Sequence, residues 1–198
     1  MKEPILYRVV RPILAGCFKL IYRPQYEGLE NIPKSGKIIL AGNHTNFFDC
    51  LLVGTSTKRC VHFMAKAELM KGIGKYIFTG LGIIPVDRSS VSSGAHALNV
   101  TKKYLLDDKL IAIFPEGTIN RTDDIMMPFK GGAVKIAFDS STQIVPFAIT
   151  GKYTIFKKNV KIKFMSPIEV ERGGLKAANQ KLYQTVRNEL EKYSEGVK

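Results

Sequence analysis

Residues Lys37–Cys50 read KIILAGNHTNFFDC and contain the transition on which the predicted fold depends. The segment Ile38–Ala41 is wholly apolar and half β-branched, which is typical of a strand buried on both faces of a parallel sheet. The chain then turns polar at once and places His44 and Asp49 five residues apart. The stretch therefore predicts a buried strand that ends in a chemically active loop.

Strand patterns alternate with helical patterns along the whole chain. The predicted strands are Tyr26–Ile32, Lys37–Ala41, Val61–Ala65, Ile83–Val86, Leu110–Phe114, Ile144–Ile149 and Val160–Phe164. The predicted helices are Phe48–Thr57 with Asn46 as N-cap, broken pieces between Glu68 and Thr79, Val91–Leu106, Val134–Phe138 and Leu175–Tyr193. This order predicts an α/β fold with a mostly parallel sheet flanked by helices.

Polar side chains follow four of the predicted strands, and they are His44, Lys66, the pair Asp87-Arg88, and Glu116. Parallel sheets bind ligands beyond the carboxyl ends of their strands. If the strands are parallel, these groups share one edge of the sheet, which predicts a single site there.

The composition favours one globular domain with an anionic partner. The chain has 198 residues, 45% of them hydrophobic, with a net charge of +13 and a pI near 9.7. Such a charge suits an anionic membrane, a phosphorylated small molecule, an acidic protein or nucleic acid. The sequence lacks zinc-finger spacing, the ribonucleoprotein aromatic motif and a basic recognition helix, which disfavours nucleic acid. Three cysteines without metal-ligand spacing indicate reduced thiols in a cytosolic compartment.

The N-terminal segment predicts a membrane anchor without a spanning helix. Three cations interrupt residues 4–22, so no charge-free run approaches the ~18–20 residues needed to span. Arg8, Arg11 and Lys19 fall within an arc of roughly 80°, opposite a broad apolar face. We expect residues 1–23 to lie on the cytoplasmic face of a membrane and residues 24–198 to form one domain. The alternative is a first helix packed on its own domain with a solvated basic face.

His44 and Asp49 have the residue types of a general base and its orienting carboxylate. A histidine near pKa ~6.5 can take a proton at neutral pH, and a carboxylate one turn away can hold its other ring nitrogen. The alternative is a loop histidine beside a capping aspartate. No nucleophile elbow accompanies the pair, and Cys50 is expected to face the core. The base would then activate a hydroxyl of the substrate, which gives direct transfer without a covalent enzyme intermediate.

Four segments carry a resemblance to a known family, and they are NHTNFFD (43–49), GIIPVDR (82–88), FPEGT (114–118) and IVPFAI (144–149). In this order and at these spacings they resemble the PlsC-type 1-acyl-sn-glycerol-3-phosphate acyltransferase family. Each segment is weak alone, whereas the ordered set is specific. The resemblance covers roughly Tyr26–Pro167.

The resemblance implies transfer of a fatty acyl group from an acyl-CoA or acyl carrier protein thioester to the sn-2 hydroxyl of 1-acyl-glycerol-3-phosphate, which makes phosphatidate. It implies His44 as the base, Asp49 as its orienting residue, and neither a metal nor a bound cofactor. The candidates for binding the glycerol phosphate, with the neighbouring cations included, are Lys66, Arg88, Glu116, Gly117, Thr118 and Arg121. Val145 and Pro146 match the apolar motif near the acyl chain.

One position departs from the family pattern. Arginine commonly follows F-P-E-G-T, whereas this chain has Ile119 there and Arg121 two residues later. Either Arg121 substitutes, or Arg88 and Lys66 bind the phosphate without it, or the acceptor differs. The open alternatives are glycerol 3-phosphate or another lysophospholipid as acceptor, and a non-catalytic basic protein that binds membranes or nucleic acid.

Overall fold

A computed structural model describes residues 5–66, 81–86, 91–171 and 174–196, together with Gly72 and Tyr76. The strands of the described chain are β1 (Gln25–Glu27), β2 (Ile38–Gly42), β3 (Val61–Lys66), β4 (Ile84–Val86), β5 (Leu110–Ile113), β6 (Ile144–Gly151) and β7 (Val160–Phe164). Its helices are α1 (Ile5–Tyr22), α2 (Asp49–Thr55), α3 (Val91–Leu106), α4 (Gly132–Asp139) and α5 (Leu175–Gly196).

The strands form one sheet in the order β1-β7-β6-β2-β5-β3-β4. Neighbouring strands are parallel, except that β6 and β7 pair antiparallel. The predicted α/β fold with a mostly parallel sheet is therefore confirmed. Because β2, β5, β3 and β6 run the same way, their carboxyl ends meet at one edge.

Side chains of the central strands alternate between two cores, one on each face of the sheet. Ile39 and Ala41 of β2 join the core that α3, α4 and α5 cover. Ile38 and Leu40 of the same strand join the other core, beneath α1 and α2. A strand with helices on both faces must be apolar at every position. This explains the unbroken apolar run Ile38–Ala41 of β2.

The first strand is shorter than predicted. Strand β1 ends at Glu27, and a 3₁₀ turn covers Leu29–Asn31. Gly28 between them has φ +67°, and a Cβ built there would lie 2.0 Å from the carbonyl oxygen of Phe164. The close approach of β7 and the left-handed backbone together end the strand.

The predicted N-cap of the second helix is wrong. Phe48 occupies the N-cap position of α2 and makes no side-chain capping bond. Asn46 lies two residues before this N-cap and closes a turn instead, since its Oδ1 accepts the backbone N–H of Phe48 at 3.1 Å. Apart from Gly72 and Tyr76, the predicted helical pieces between Glu68 and Thr79 lie outside the described residues.

Helix α1 packs on the domain through a face that the sequence did not indicate. Tyr7, Ala15 and Phe18 are buried, and Arg11 donates to the carbonyl oxygen of Thr57. Part of the predicted basic face is therefore the docking face, because a guanidinium can be half-buried when it finds an acceptor.

The apolar face of α1 is exposed instead. Val9, Ile13 and Leu20 are 57%, 63% and 69% exposed. Within the described residues, none of the helices is both long and apolar enough to cross a bilayer.

Candidate active site

The loop that follows β2 is fixed at its root by a buried amide. The side chain of Asn43 donates to the carbonyl oxygen of Ile149 at 2.9 Å and accepts its N–H at 2.7 Å. The amide thus extends the ladder between β2 and β6 by one pair, as a backbone peptide would. This bond sets the point from which the loop departs and therefore where the next residue, His44, lies.

His44 and Asp49 are brought together as their spacing predicts. The His44 Nδ1 atom lies 2.9 Å from Asp49 Oδ2, and the carboxylate is fully buried while the imidazole is 15% exposed. A carboxylate can only accept, so Nδ1 carries the proton and Nε2 is left as the acceptor. Within the described residues, Nε2 of His44 has no hydrogen-bond partner.

Backbone donors explain why the aspartate lies five residues after the histidine. The N–H groups of Thr45 and Asn46 donate to Asp49 Oδ2 at 2.6 and 2.8 Å. The carboxylate at the start of α2 therefore folds back over the loop and holds it. A simple capping role for Asp49 would account for these two bonds with backbone N–H groups. It would not account for the third bond, with the His44 ring.

Glu116 connects the two loops of the site. Its Oε1 accepts the N–H of His44 at 2.7 Å and its Oε2 accepts the N–H of Met127 at 3.0 Å. The carbonyl oxygen of His44 accepts the N–H of Asn120 at 2.8 Å. Burial raises the pKa of the Glu116 carboxyl, and the two N–H donors oppose that rise. The N–H of His44 is thus bonded to the F-P-E-G-T segment, and its carbonyl oxygen to the loop that follows this segment.

Aromatic stacking sets the plane of the imidazole. The ring of Phe114 stacks on His44 with centroids 4.0 Å apart and planes 15° apart. Phe63 stacks behind Phe114 at 6.3 Å. The imidazole of His44 is therefore held by the hydrogen bond at Nδ1 and by the stacking of Phe114 on one face. These two contacts together fix the direction in which Nε2 points.

His44 lines an open cleft of about 350 Å³ at the carboxyl edge of the sheet. The cleft is also lined by Cys50, Phe63, Phe114, Gly117, Thr118 and Ile119 among others. Burial, and next the charge of Asp49, raise the pKa of the Cys50 thiol to about 12. The thiol is therefore protonated near neutral pH and a poor nucleophile.

The predicted phosphate-binding residues are placed in part. Thr118 lines the cleft, and Arg121 is exposed three residues further along the same loop. Lys66 is the last residue of β3, but its side chain and Arg88 lie outside the described residues. Their assignment to the phosphate stays a prediction.

Gly117 is required by local geometry. It has φ +77°, and a Cβ built there would lie 2.7 Å from the Nζ atom of Lys130. Its N–H donates to the carbonyl oxygen of Phe114 at 2.9 Å. The turn brings the lysine ammonium beside the cleft, which the sequence did not indicate.

Val145 and Pro146 are buried within β6. They pair in register with Leu40 and Ala41 of β2 and do not line the cleft at His44. Their predicted contact with the acyl chain stays a prediction.

Tyr153 is a site residue that the sequence reasoning missed. Its hydroxyl donates to Asp49 Oδ1 at 2.6 Å. The available signal was topological: Tyr153 follows β6, which is parallel to β2 and so ends at the same edge.

Comparisons with known proteins place the chain in a family. The protein-family model described as Acyltransferase matches residues 23–150. A 1-acyl-sn-glycerol-3-phosphate acyltransferase of Borreliella burgdorferi is 34% identical over 67% of this chain and 53% of its own length. One of Streptococcus pneumoniae is 30% identical over 84% of this chain and 62% of its own length. The chain thus spans between half and two thirds of these relatives.

The fold is also shared with a solved structure. The crystal structure of the 1-acyl-sn-glycerophosphate (LPA) acyltransferase PlsC from Thermotoga maritima superposes with a TM-score of 0.70. The match covers 92% of this chain and 79% of that one, at 21% identity. This likeness establishes the architecture on which the site is built.

Proposed function

This chain belongs to the Acyltransferase family, and from that premise we propose that it transfers a fatty acyl group from an acyl thioester to the sn-2 hydroxyl of 1-acyl-glycerol-3-phosphate, making phosphatidate. Two relatives are named 1-acyl-sn-glycerol-3-phosphate acyltransferase, and these names support 1-acyl-glycerol-3-phosphate as the acceptor. The observation that carries the chemistry is the 2.9 Å contact between His44 Nδ1 and Asp49 Oδ2 at the wall of an open cleft.

The proposed reaction is a direct transfer. The acceptor hydroxyl lies within ~2.6–3.2 Å of His44 Nε2, which removes its proton as the oxygen attacks the thioester carbonyl. The C–O bond forms, the tetrahedral intermediate collapses, and the C–S bond breaks. The imidazolium returns the proton to the departing thiolate, so the histidine ends as it began. Asp49 stabilises the imidazolium during the transfer.

Cations around the cleft would bind the acceptor phosphate. Among the described side chains the candidates are Lys130, whose Nζ lies beside Gly117, Arg121 and the hydroxyl of Thr118. Arg88 and Lys66 are the other cations of the predicted set, and a guanidinium suits a phosphate through two parallel bonds. In this proposal Glu116 acts chiefly through His44, since both of its oxygens already accept backbone N–H groups.

The acyl chain of one substrate would extend into a neighbouring apolar recess. This recess of about 120 Å³ lies between α1, α2 and β3 and is lined by Leu51, Val61 and Ile83 among others. It shares Cys50 and Phe63 with the cleft. An apolar surface that continues from the reactive histidine suits an alkyl chain, whose burial is favourable by ~0.8 kcal/mol per methylene.

The two donors considered, acyl-CoA and acyl carrier protein, are both anionic and fit the charge of +13. Parallel assays of thiol release test the function. We expect release with lysophosphatidate, and none with glycerol 3-phosphate or lysophosphatidylglycerol. If another acceptor drives release, the reaction stands and the headgroup assignment is wrong. If no pair gives release, the proposed activity is wrong.

We further propose that α1 rests on an anionic membrane at the cytoplasmic face. Its exposed apolar face supports this, as does the loop after β6, where the N–H of Phe156 donates to the carbonyl oxygen of Ile21 at 2.5 Å. Ile155 and Phe156 are exposed in that loop and precede Lys157-Lys158. Apolar side chains bordered by cations are the features of an interfacial surface.

Replacing Ile13 and Leu20 by Ser should weaken binding to vesicles of phosphatidylglycerol about tenfold or more, because each side chain loses part of the ~1.5–3 kcal/mol of its burial. Both residues are exposed, so folding should be unaffected. Sedimentation with the vesicles measures the change. The matched control is Leu106→Ser, an exposed residue at the end of α3 on the opposite side of the sheet. Equal binding by both variants would exclude α1 as the docking surface.

A further inference from the structure

The buried carboxylate of Asp49 has an uneven set of donors. Oδ2 receives three short bonds, from His44 and from the backbone of Thr45 and Asn46. Oδ1 receives one short bond, from Tyr153 at 2.6 Å, and a longer contact from the Thr45 hydroxyl at 3.3 Å. The phenol is therefore the one strong donor to Oδ1 within the described chain.

Tyr153 remains a donor throughout the pH range of an enzyme assay. Burial, and next the charge of Asp49, raise the pKa of the phenol above its ordinary value. The hydroxyl thus keeps its proton and directs it to the carboxylate. A charge-assisted bond of this length is stronger than one between neutral groups.

The ring of Tyr153 is fixed by aromatic neighbours from two other elements. Tyr22 of α1 meets it edge-on at 5.7 Å, and Phe18 of the same helix lies at 6.2 Å. Phe48 at the start of α2 lies at 5.7 Å. These contacts hold the phenol where its oxygen reaches Asp49, so the donor is placed by packing as well as by its loop.

We propose that Tyr153 is a positioning residue of the active site, which fixes the Asp49 carboxylate so that Oδ2 faces the Nδ1–H of His44. This inference rests on the proposed function for its catalytic consequence. Without the phenol, Oδ1 keeps only the 3.3 Å contact from the Thr45 hydroxyl. The three bonds to Oδ2 still hold that oxygen, but the carboxylate plane is less restrained about the Cβ–Cγ bond, and small rotations weaken the bond between Oδ2 and the imidazole.

A second effect of losing the phenol has the opposite sign. A carboxylate with one donor fewer is less stabilised as an anion and would attract the imidazolium more strongly. Positioning predicts slower transfer, whereas this charge effect alone predicts equal or faster transfer. The direction of the change in kcat therefore separates the two.

Tyr153→Phe tests the proposal because it removes the hydroxyl and keeps the ring in its aromatic contacts. We expect kcat to fall on the order of tenfold, the equivalent of ~1.4 kcal/mol, with KM unchanged, since Tyr153 does not line the cleft. An unchanged or increased kcat would overturn the proposal.

Tyr26→Phe is the matched control. Its hydroxyl also makes a partly buried 2.6 Å bond, to Thr55 Oγ1, and burial likewise raises its pKa. That bond does not reach the dyad, so the control loses comparable stability without loss of kcat. If both variants lose kcat equally, Tyr153 is merely structural and the proposal is wrong.

A measurement without substrate keeps this inference separate from the proposed function. The proton on His44 Nδ1 should give a low-field NMR signal in the wild-type protein that is absent in His44→Ala. In Tyr153→Phe the signal should shift or exchange faster with water, and in Tyr26→Phe it should stay in place. An unmoved signal in Tyr153→Phe would contradict the positioning role even if no acceptor is ever turned over.

Discussion

His44→Ala should lower the rate of acyl transfer by about 10²–10⁴, the range expected when a general base is lost. The acceptor hydroxyl would have no base at hydrogen-bond distance, and Cys50 cannot replace it because burial raises the pKa of its thiol to about 12. Binding of substrates to the cleft should change less than kcat, since the base acts in the transition state. Steady-state thiol release with lysophosphatidate measures both parameters.

The fold should survive this change. The loop is held by backbone groups of His44, through Glu116 and Asn120, and Ala keeps both. His96→Ala is the matched control, because His96 is exposed on α3, does not line the cleft and should retain full activity. Wild-type turnover by a folded His44→Ala protein would exclude the histidine as the base.

The spacing of His44 and Asp49 was sufficient to predict their contact because that geometry is local. Ile38–Ala41 could only be a buried strand, and five residues from His44 to Asp49 are enough to leave that strand, turn and begin a helix. The two side chains then lie within reach of each other, while Asn43 and Glu116 hold the loop through bonds to more distant parts of the chain. The parallel order of the strands likewise follows from alternating local patterns.

The remaining contacts depend on pairings that no local spacing encodes. Tyr153 is 104 residues from its partner Asp49, and Asn43 is 106 residues from Ile149. Glu116 was found at the correct edge, but its bond to a backbone N–H 72 residues away carries no sequence signature. Such contacts become visible only once β6 is known to lie beside β2.

Helix α1 shows a different limit of sequence reasoning. Its periodicity predicted an apolar face opposite a cationic one. Periodicity does not tell which face meets the domain, and Arg11 with Tyr7 and Phe18 makes that contact. An aromatic ring or a guanidinium packs well beside a polar carbonyl, so the docking face is mixed. The purely apolar face is then left for the proposed membrane.

Asp49→Asn should reduce transfer by about 10²–10⁴, close to the effect of losing the base itself. Two backbone N–H groups point at the Oδ2 position, so the asparagine should place its oxygen there and keep the Nδ1–H of His44 bonded. The geometry of the dyad would then survive while its negative charge is lost. The imidazolium that forms during transfer would lose its buried counter-ion, and the loss should appear in kcat.

The asparagine NH₂ would then occupy the Oδ1 position and face Tyr153, whose hydroxyl can turn from donor to acceptor. Stability should accordingly fall by only about 1–3 kcal/mol, as charged hydrogen bonds become neutral ones, which urea unfolding measures. Asp139→Asn is the control, since it removes a carboxylate paired with Lys135 on the surface and should affect neither property. Retention of wild-type kcat by Asp49→Asn would show that the carboxylate charge is not needed. A much larger loss of stability would show that the asparagine NH₂ does not find Tyr153 as its acceptor. An unpaired buried donor destabilises the fold by more than a weakened hydrogen bond does.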